Sequence, residues 1–288
     1  MPLSRYMVKR SPDGRLPAGG TGSQAPEPPD PGGGSFIHCI NGTRAACWGA
    51  DGVFNVWNPT TETFEDHSIM QVGLQNFDEP QLQAVEAGWI ICQLLNGDGR
   101  PHLFTYYTTN GYGPGADNVG GYNLEFDGWV QYDSNIYPGA LITGSSTRGG
   151  AQAVISIKYQ WYEGNWWLQV QGHWLGYYPT SLFMGNQSVF ATLGDHAESL
   201  GFWGEVGTVV NQEQTTTQMG SGQYAEAGWQ QACYQRNLRM QTDRDGRMAI
   251  FSGSPQVDEP RLYDMQPHMN SGTSWESYFW AGGPGAPG

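Results

Sequence analysis

Charge is scarce in this sequence, and positive charge is scarcest. Asp, Glu, Lys and Arg together make up 14% of 288 residues, and lysine occurs only at Lys9 and Lys158. The 13 basic residues stand against 27 acidic ones, giving a net charge of −14 and a pI near 4.6. Such a surface repels phosphate backbones and anionic lipids, which argues against nucleic acid and membranes as partners. With few amines, little positive self-repulsion builds up once carboxylates are protonated. An acidic medium is one reading of this balance, and compositional drift is the other. No run of about 18 apolar residues is present, so no membrane-spanning helix is expected. The opening M-P-L-S-R-Y-M-V-K-R has no apolar signal core. A mature or trimmed form is therefore expected, with Lys9-Arg10 as a candidate dibasic processing site.

The familiar hydrolytic motifs are missing too. There is no G-x-S-x-G elbow, no H-E-x-x-H, and no Asp-Thr-Gly or Asp-Ser-Gly. Cysteine is limited to Cys39, Cys47, Cys92 and Cys233, without the close paired spacing of a zinc or redox motif. The histidines, His38, His67, His102, His173, His196 and His268, are scattered without ligand spacing, so surface or packing roles are expected and no metal or cofactor. An even cysteine count and the acceptor triplets Asn41-Gly-Thr43 and Asn186-Gln-Ser188 are consistent with secretion and two disulfides. Cys39 and Cys47 bracket a stretch short enough for a disulfide-closed hairpin.

What the chain has in abundance is glycine (42), proline (18) and aromatic residues (13%). Residues 1 to about 35 include a Pro/Gly/Ser tract that cannot bury enough apolar area to offset its ordering entropy. This reads as a flexible segment and a candidate propeptide remnant, with a folded domain over 36–288. Alternation then marks strand after strand: S-I-M-Q-V-G-L, A-V-E-A-G-W-I-I-C-Q-L-L, H-L-F-T-Y-Y-T-T, A-V-I-S-I-K-Y-Q-W-Y, N-W-W-L-Q-V-Q-G-H-W-L-G-Y-Y, F-W-G-E-V-G-T-V-V and R-L-Y-D-M. The one helical candidate spans residues 181–190. Many strands separated by Gly and Asn turn signals predict an all-β sandwich or barrel-like architecture.

With serine, thiol and metal systems set aside, carboxylates remain. The motif A-E-A-G-W occurs at Ala225–Trp229 and, as A-V-E-A-G-W, at Ala84–Trp89. In a strand, Ala84, Glu86 and Gly88 share one face, and Val85, Ala87 and Trp89 form an apolar other face. A carboxylate between two very small residues has a hollow beside it. Trp203, Glu205 and Gly207 likewise share a face, with an aromatic wall on one side and a gap on the other. The ordinary alternative for either glutamate is a solvated strand residue.

From about Ser68 to Gly285 the chain resembles the neprosin family of glutamic peptidases, as a bacterial or fungal-type member. The matching text includes V-E-A-G-W, G-G-Y-N-L-E-F-D-G-W-V-Q, G-N-W-W-L, F-W-G-E-V, T-Q-M-G-S-G-Q-Y and Y-F-W-A-G-G-P-G. The resemblance implies an antiparallel β-sandwich similar to eqolisin and concanavalin-like glutamic peptidases, with an active-site groove across the concave sheet. It also implies catalytic roles for Glu86 and Glu205. Glu226, in the second A-E-A-G-W, echoes the motif in packing and is the reserve candidate. The implied protein is a secreted, acid-active, monomeric endopeptidase cleaving proline-rich peptides or proteins after proline. The cysteines of plant members are absent here, which leaves Cys39–Cys47 and Cys92–Cys233 as the expected pairs.

Two carboxyls a few ångström apart hold one proton between them across the mildly acidic range. One partner then activates water while the other protonates the leaving nitrogen; Glu86 is assigned as base and Glu205 as acid. Gln218, Gly220, Ser221 and Tyr224 are candidate oxyanion donors, unless that segment is a purely structural turn. Trp203, with Trp89, Trp129, Trp166 or Trp167, is a candidate wall for proline, although Trp166 and Trp167 cannot both face the groove. The competing reading is a carbohydrate-active or glycan-binding sandwich.

Overall fold

A computed structural model describes residues 35–76, 82–109, 111, 120–124, 127–184 and 193–287. The N-terminal tract, the acceptor Asn186 and most of the helical candidate lie outside the described residues; its start is a 3-10 turn at Thr180–Phe183.

Among the described residues, sixteen strands follow in chain order. They are β1 (Ser35–Cys47), β2 (Gly49–Asn55), β3 (His67–Asn76), β4 (Gln83–Cys92), β5 (His102–Thr108), β6 (Gly120–Tyr122), β7 (Val130–Gln131) and β8 (Val154–Tyr162). The remainder are β9 (Asn165–Val170), β10 (His173–Pro179), β11 (Ala197–Thr208), β12 (Cys233–Gln241), β13 (Met248–Ile250), β14 (Ser254–Val257), β15 (Asp264–His268) and β16 (Tyr278–Gly282). A 7-stranded antiparallel sheet has the order β14-β1-β11-β3-β4-β5-β6. The 9-stranded sheet runs β15-β16-β12-β2-β8-β9-β10-β7, with β13 paired to β12. The chain is an antiparallel β-sandwich, as its alternation predicts.

The period of two decides which side chains meet between the sheets. From the first sheet Ile37, Met70, Val72, Val85, Ala87, Trp89 and Phe202 point inward; Phe54, Ile157, Tyr159, Trp166, Leu168 and Leu238 meet them from the second. The polar tips of the large rings are satisfied there: Trp89 Nε1 donates to the Asn55 carbonyl at 3.0 Å and Trp166 Nε1 to that of Leu193 at 2.6 Å. The outer face of the first sheet carries a smaller apolar cluster of Ile69, Ala84, Ile90, Cys92, Phe104, Tyr106 and Tyr122. This second face, buried in its own right, is where the polar residues gather.

Two expectations fail here. Cys39 and Cys47 lie on one continuous strand, which holds them far apart, so no hairpin brings them together. None of the four cysteines is joined in a disulfide, and all are buried. Asn41 points into the inter-sheet space, fully buried with its Nδ2 on Met269 Sδ at 3.3 Å, and presents no acceptor on the folded surface.

Candidate active site

Glu86 and Glu205 both project from the outer face of the first sheet. Neither is a solvated strand residue: Glu86 is 0% and Glu205 1% exposed. They stand on β4 and β11, the two neighbours of β3. Glu205 pairs with Ile69 and Glu86 with Gly73, so Gln71, midway between those partners, is the diagonal neighbour of both.

Burying a carboxylate costs several kcal/mol unless donors replace the lost water. Glu205 has them. Gln71 Nε2 donates to its Oε2 at 2.9 Å and Trp203 Nε1 to the same oxygen at 3.2 Å. His67 Nε2 lies 3.0 Å from Oε1, and His38 Nε2, from the facing position on β1, 3.5 Å from Oε2. Donors on both oxygens suit an ionised carboxylate. His38 is itself clamped, with Nδ1 2.7 Å from Asp258 Oδ2. Burial alone would lower the pKa of this imidazole, but the bonds to Asp258 and Glu205 outweigh it and raise it to about 9.

Glu86 stands in a tightly filled space. A Cβ on Gly73 would lie 3.2 Å from Glu86 Cγ and would overlap Trp203 Cη2, so the indole that bonds Glu205 also lies beside Glu86. From the opposite sheet Tyr159 Oη donates to the Glu86 backbone carbonyl at 3.1 Å, fixing that strand from behind. Tyr106 faces Glu86 across β5, and Tyr122 packs on it with ring centroids 4.9 Å apart. Burial, and then the negative glutamates, push both phenols up, so they stay protonated donors. Two buried atoms here lack partners, Tyr122 Oη and Gln71 Oε1.

The hollows expected beside the glutamates are filled. A side chain at Gly207 would overlap the His67 imidazole, and one at Gly88 would sit 2.8 Å from Gln71 Cα. The small residues make room for the partners of the carboxylates instead of leaving open space.

The remaining sequence candidates lie elsewhere. Gln218 Oε1 accepts from Thr60 N at 3.2 Å, the Ser221 carbonyl from Arg148 at 2.9 Å, and Tyr224 Oη donates to the Arg261 carbonyl at 2.9 Å. Gly220 (φ +64°) is wedged against Cys233 and Met70, and its neighbour Met219 belongs to the inter-sheet core. This segment is thus the structural turn, on the far side of the sheet from Glu205. Glu226 is exposed on a 3-10 turn, Ala225–Ala227, and is no strand residue. Of the tryptophans considered, Trp203 is at the site. Trp89 and Trp166 are core, Trp129 meets Tyr178 edge to face, and Trp167 packs with Tyr177.

Histidine was the residue type most underrated by sequence reasoning. His67 and Gln71 are four apart on an alternating strand, so they share a face, a signal available in H-S-I-M-Q-V-G. His38 and Asp258 give no such signal, because long-range pairing brings them to Glu205.

An antiparallel sandwich with two buried glutamates on one sheet face, and neutral phenols beside them, defines a class able to perform acid–base chemistry without a covalent nucleophile. Residues 64–284 match the profile of the Neprosin family, and the chain belongs to that family. Membership supports a glutamic peptidase acting on peptide or protein substrates. Among solved structures, scytalido-glutamic peptidase with a transition-state analogue inhibitor is similar at a TM-score of 0.42 and 9% identity, over 86% of this chain and 97% of that one. SCP-B, a member of the eqolisin family of peptidases bound to a tripeptide, is similar at 0.39 and 8%, over 86% and 97%. A Bacteroides ovatus mixed-linkage-glucan protein in complex with a product is similar at 0.34 and 9%, over 60% and 66%.

Proposed function

We propose that this protein is a secreted, acid-active glutamic endopeptidase in which Glu205 is the general base and Glu86 the general acid. The observation that carries this reading is the set of donors gathered on Glu205. Glu205 is ringed by Gln71, Trp203, His67 and His38, which suits an anion and leaves Glu86, across Gly73 from the Trp203 ring, as the acid. This reverses the assignment made from sequence. Glu205 takes a proton from a water whose oxygen attacks the scissile carbonyl carbon. Glu86 gives its proton to the nitrogen, the C–N bond breaks, and acid and amine leave. Tyr122 Oη, a buried donor without a partner, replaces the Gln218–Tyr224 turn as the candidate oxyanion donor.

Cleavage after proline is supported by the rings at hand: Trp203 and Tyr106 can flank a pyrrolidine as flat apolar walls. At 0% and 1% exposure neither carboxyl is open to substrate, so an activating change that uncovers this face precedes cleavage.

The test is a digest of proline-containing peptides from about pH 2 to 8, with and without acid preincubation, read by mass spectrometry for wild type, Glu86→Gln and Glu205→Gln. Loss of post-proline cleavage by about 100-fold or more in both variants, with folding retained, is the expected result. Full activity in either variant removes that glutamate from the mechanism.

A further inference from the structure

We infer that His38, clamped by Asp258, is a positioning residue that presents a fixed cation to Glu205 and extends the working range of the enzyme toward low pH. The inference rests on the reading of Glu205 as the base.

The clamp is unusually complete for one imidazole. Asp258 Oδ2 meets both the His38 backbone N–H at 3.0 Å and Nδ1 at 2.7 Å, while Asp258 N donates back to the His38 carbonyl at 3.0 Å. A side chain held at its own backbone and at Nδ1 has one orientation, and Nε2 is left facing Glu205 Oε2 at 3.5 Å. His38 is 8% exposed, so water screens little of the interaction. Backbone pairing explains why these groups meet: β1 lies between β11, which carries Glu205, and β14, which ends one residue before Asp258.

The charged and titratable groups around the pair are few. Asp258 follows β14 and Glu205 is on β11, while His67 on β3 touches the other oxygen of Glu205. Glu86 on β4, Tyr106 on β5 and Tyr122 on β6 form the far side of the site. Asp264 on β15 acts on Cys39, on the opposite face of β1. Among these groups the imidazole, with its pKa raised to about 9, brings positive charge that persists through the acid and neutral range. Asp258 is exposed as a residue; partial desolvation of its carboxyl acts to raise the pKa, but the contact with His38 lowers it, and Asp258 stays an anion in mild acid.

A base works only in its ionised form, and a cation beside it preserves that form as pH falls. Removing the cation should therefore raise the pH at which activity fades on the acid side, without a comparable loss above it. The experiment measures pH profiles of kcat/KM for the full-length wild type, His38→Gln and Asp258→Asn, with thermal melts and a histidine 15N NMR titration of the wild type. The expected result is an acid limb moved up by about one pH unit in His38→Gln, a loss of about tenfold at the acid end, and a smaller move in Asp258→Asn. His38 should give the signal of a charged imidazole at pH 7. Should His38→Gln fail to fold, Asp258→Asn and the titration decide. A uniform loss at every pH, an unchanged limb, or a neutral His38 at pH 7 overturns the inference while leaving the peptidase reading intact. Full activity in Glu205→Gln overturns both.

Discussion

Trp203 donates its indole N–H to the carboxylate of Glu205, two residues further along the same strand. Side chains two apart on a strand share a face, so the contact is built into β11 before any other element docks. The far edge of the ring crosses β3 above Gly73 and reaches the side of Glu86. One side chain thus bonds the carboxylate of Glu205 and lies near the stem of Glu86. Replacing it with Phe keeps an apolar wall but removes the N–H. A hydrogen bond to a charged group contributes about 1.5–3 kcal/mol, so Trp203→Phe should lower kcat/KM by about 10- to 100-fold. Steady-state kinetics, with circular dichroism to show that the sandwich persists, would check this.

The glycines of the site should be intolerant of one added methyl. At Gly207 a Cβ would overlap the His67 imidazole, which is 2% exposed and confined on its other flank by Phe36, with ring centroids 5.6 Å apart. Gly207→Ala should destabilise the fold by about 1–3 kcal/mol and weaken the His67–Glu205 contact. Gly99, exposed with nothing within 4 Å of an added Cβ, is the control, and its Ala variant should stay within about 0.5 kcal/mol of wild type. Urea denaturation of both variants measures the difference.

How much of this was legible in the sequence follows from how local each feature is. The faces of β4 were readable because period-two alternation involves one strand: Val85, Ala87 and Trp89 are core, and Glu86 is on the other side. The fate of the second A-E-A-G-W was not. Ala84–Trp89 is flanked along its length by β3 and β5, whereas Ala225–Trp229 follows a turn with Gly220 at φ +64° and Gly222 at +74° and coils into a 3-10 turn. The same letters adopt different structures because neighbours, not propensity, decide. The ring of donors on Glu205 was hidden for the same reason. His38, His67 and Gln71 reach it through register between distant strands, which no short window contains.

The cysteines give a prediction opposite to the disulfides expected from their count. Burial pushes the Cys47 thiol up to about 12, and Cys39 and Cys233 are likewise raised by burial. A buried thiol that stays protonated is a poor nucleophile. An aromatic disulfide reagent should find no reactive thiol in the native protein and all four in denaturant. A reductant should leave the melting temperature unchanged. A drop on reduction would instead point to a bond between thiols that are separate here.

The His38–Asp258 pair also sets a pH window for stability. The raised pKa of His38 means that the folded state holds its proton more tightly than the unfolded chain, where the value is about 6.5. That contribution is fully present below about pH 6.5 and is lost as pH rises through about 9. A shift of this size corresponds to about 3 kcal/mol. Asp258 works in the other direction: its pKa is lowered in the folded protein, so its contribution is present above the ordinary carboxylate range and disappears as pH falls below it. Stability against urea should therefore be highest between about pH 4 and 6.5 as far as this pair is concerned, and decline toward pH 9. In His38→Gln the alkaline decline should flatten. If the variant and wild type instead fall in parallel from pH 6.5 to 9, the proton linked to folding belongs to another group.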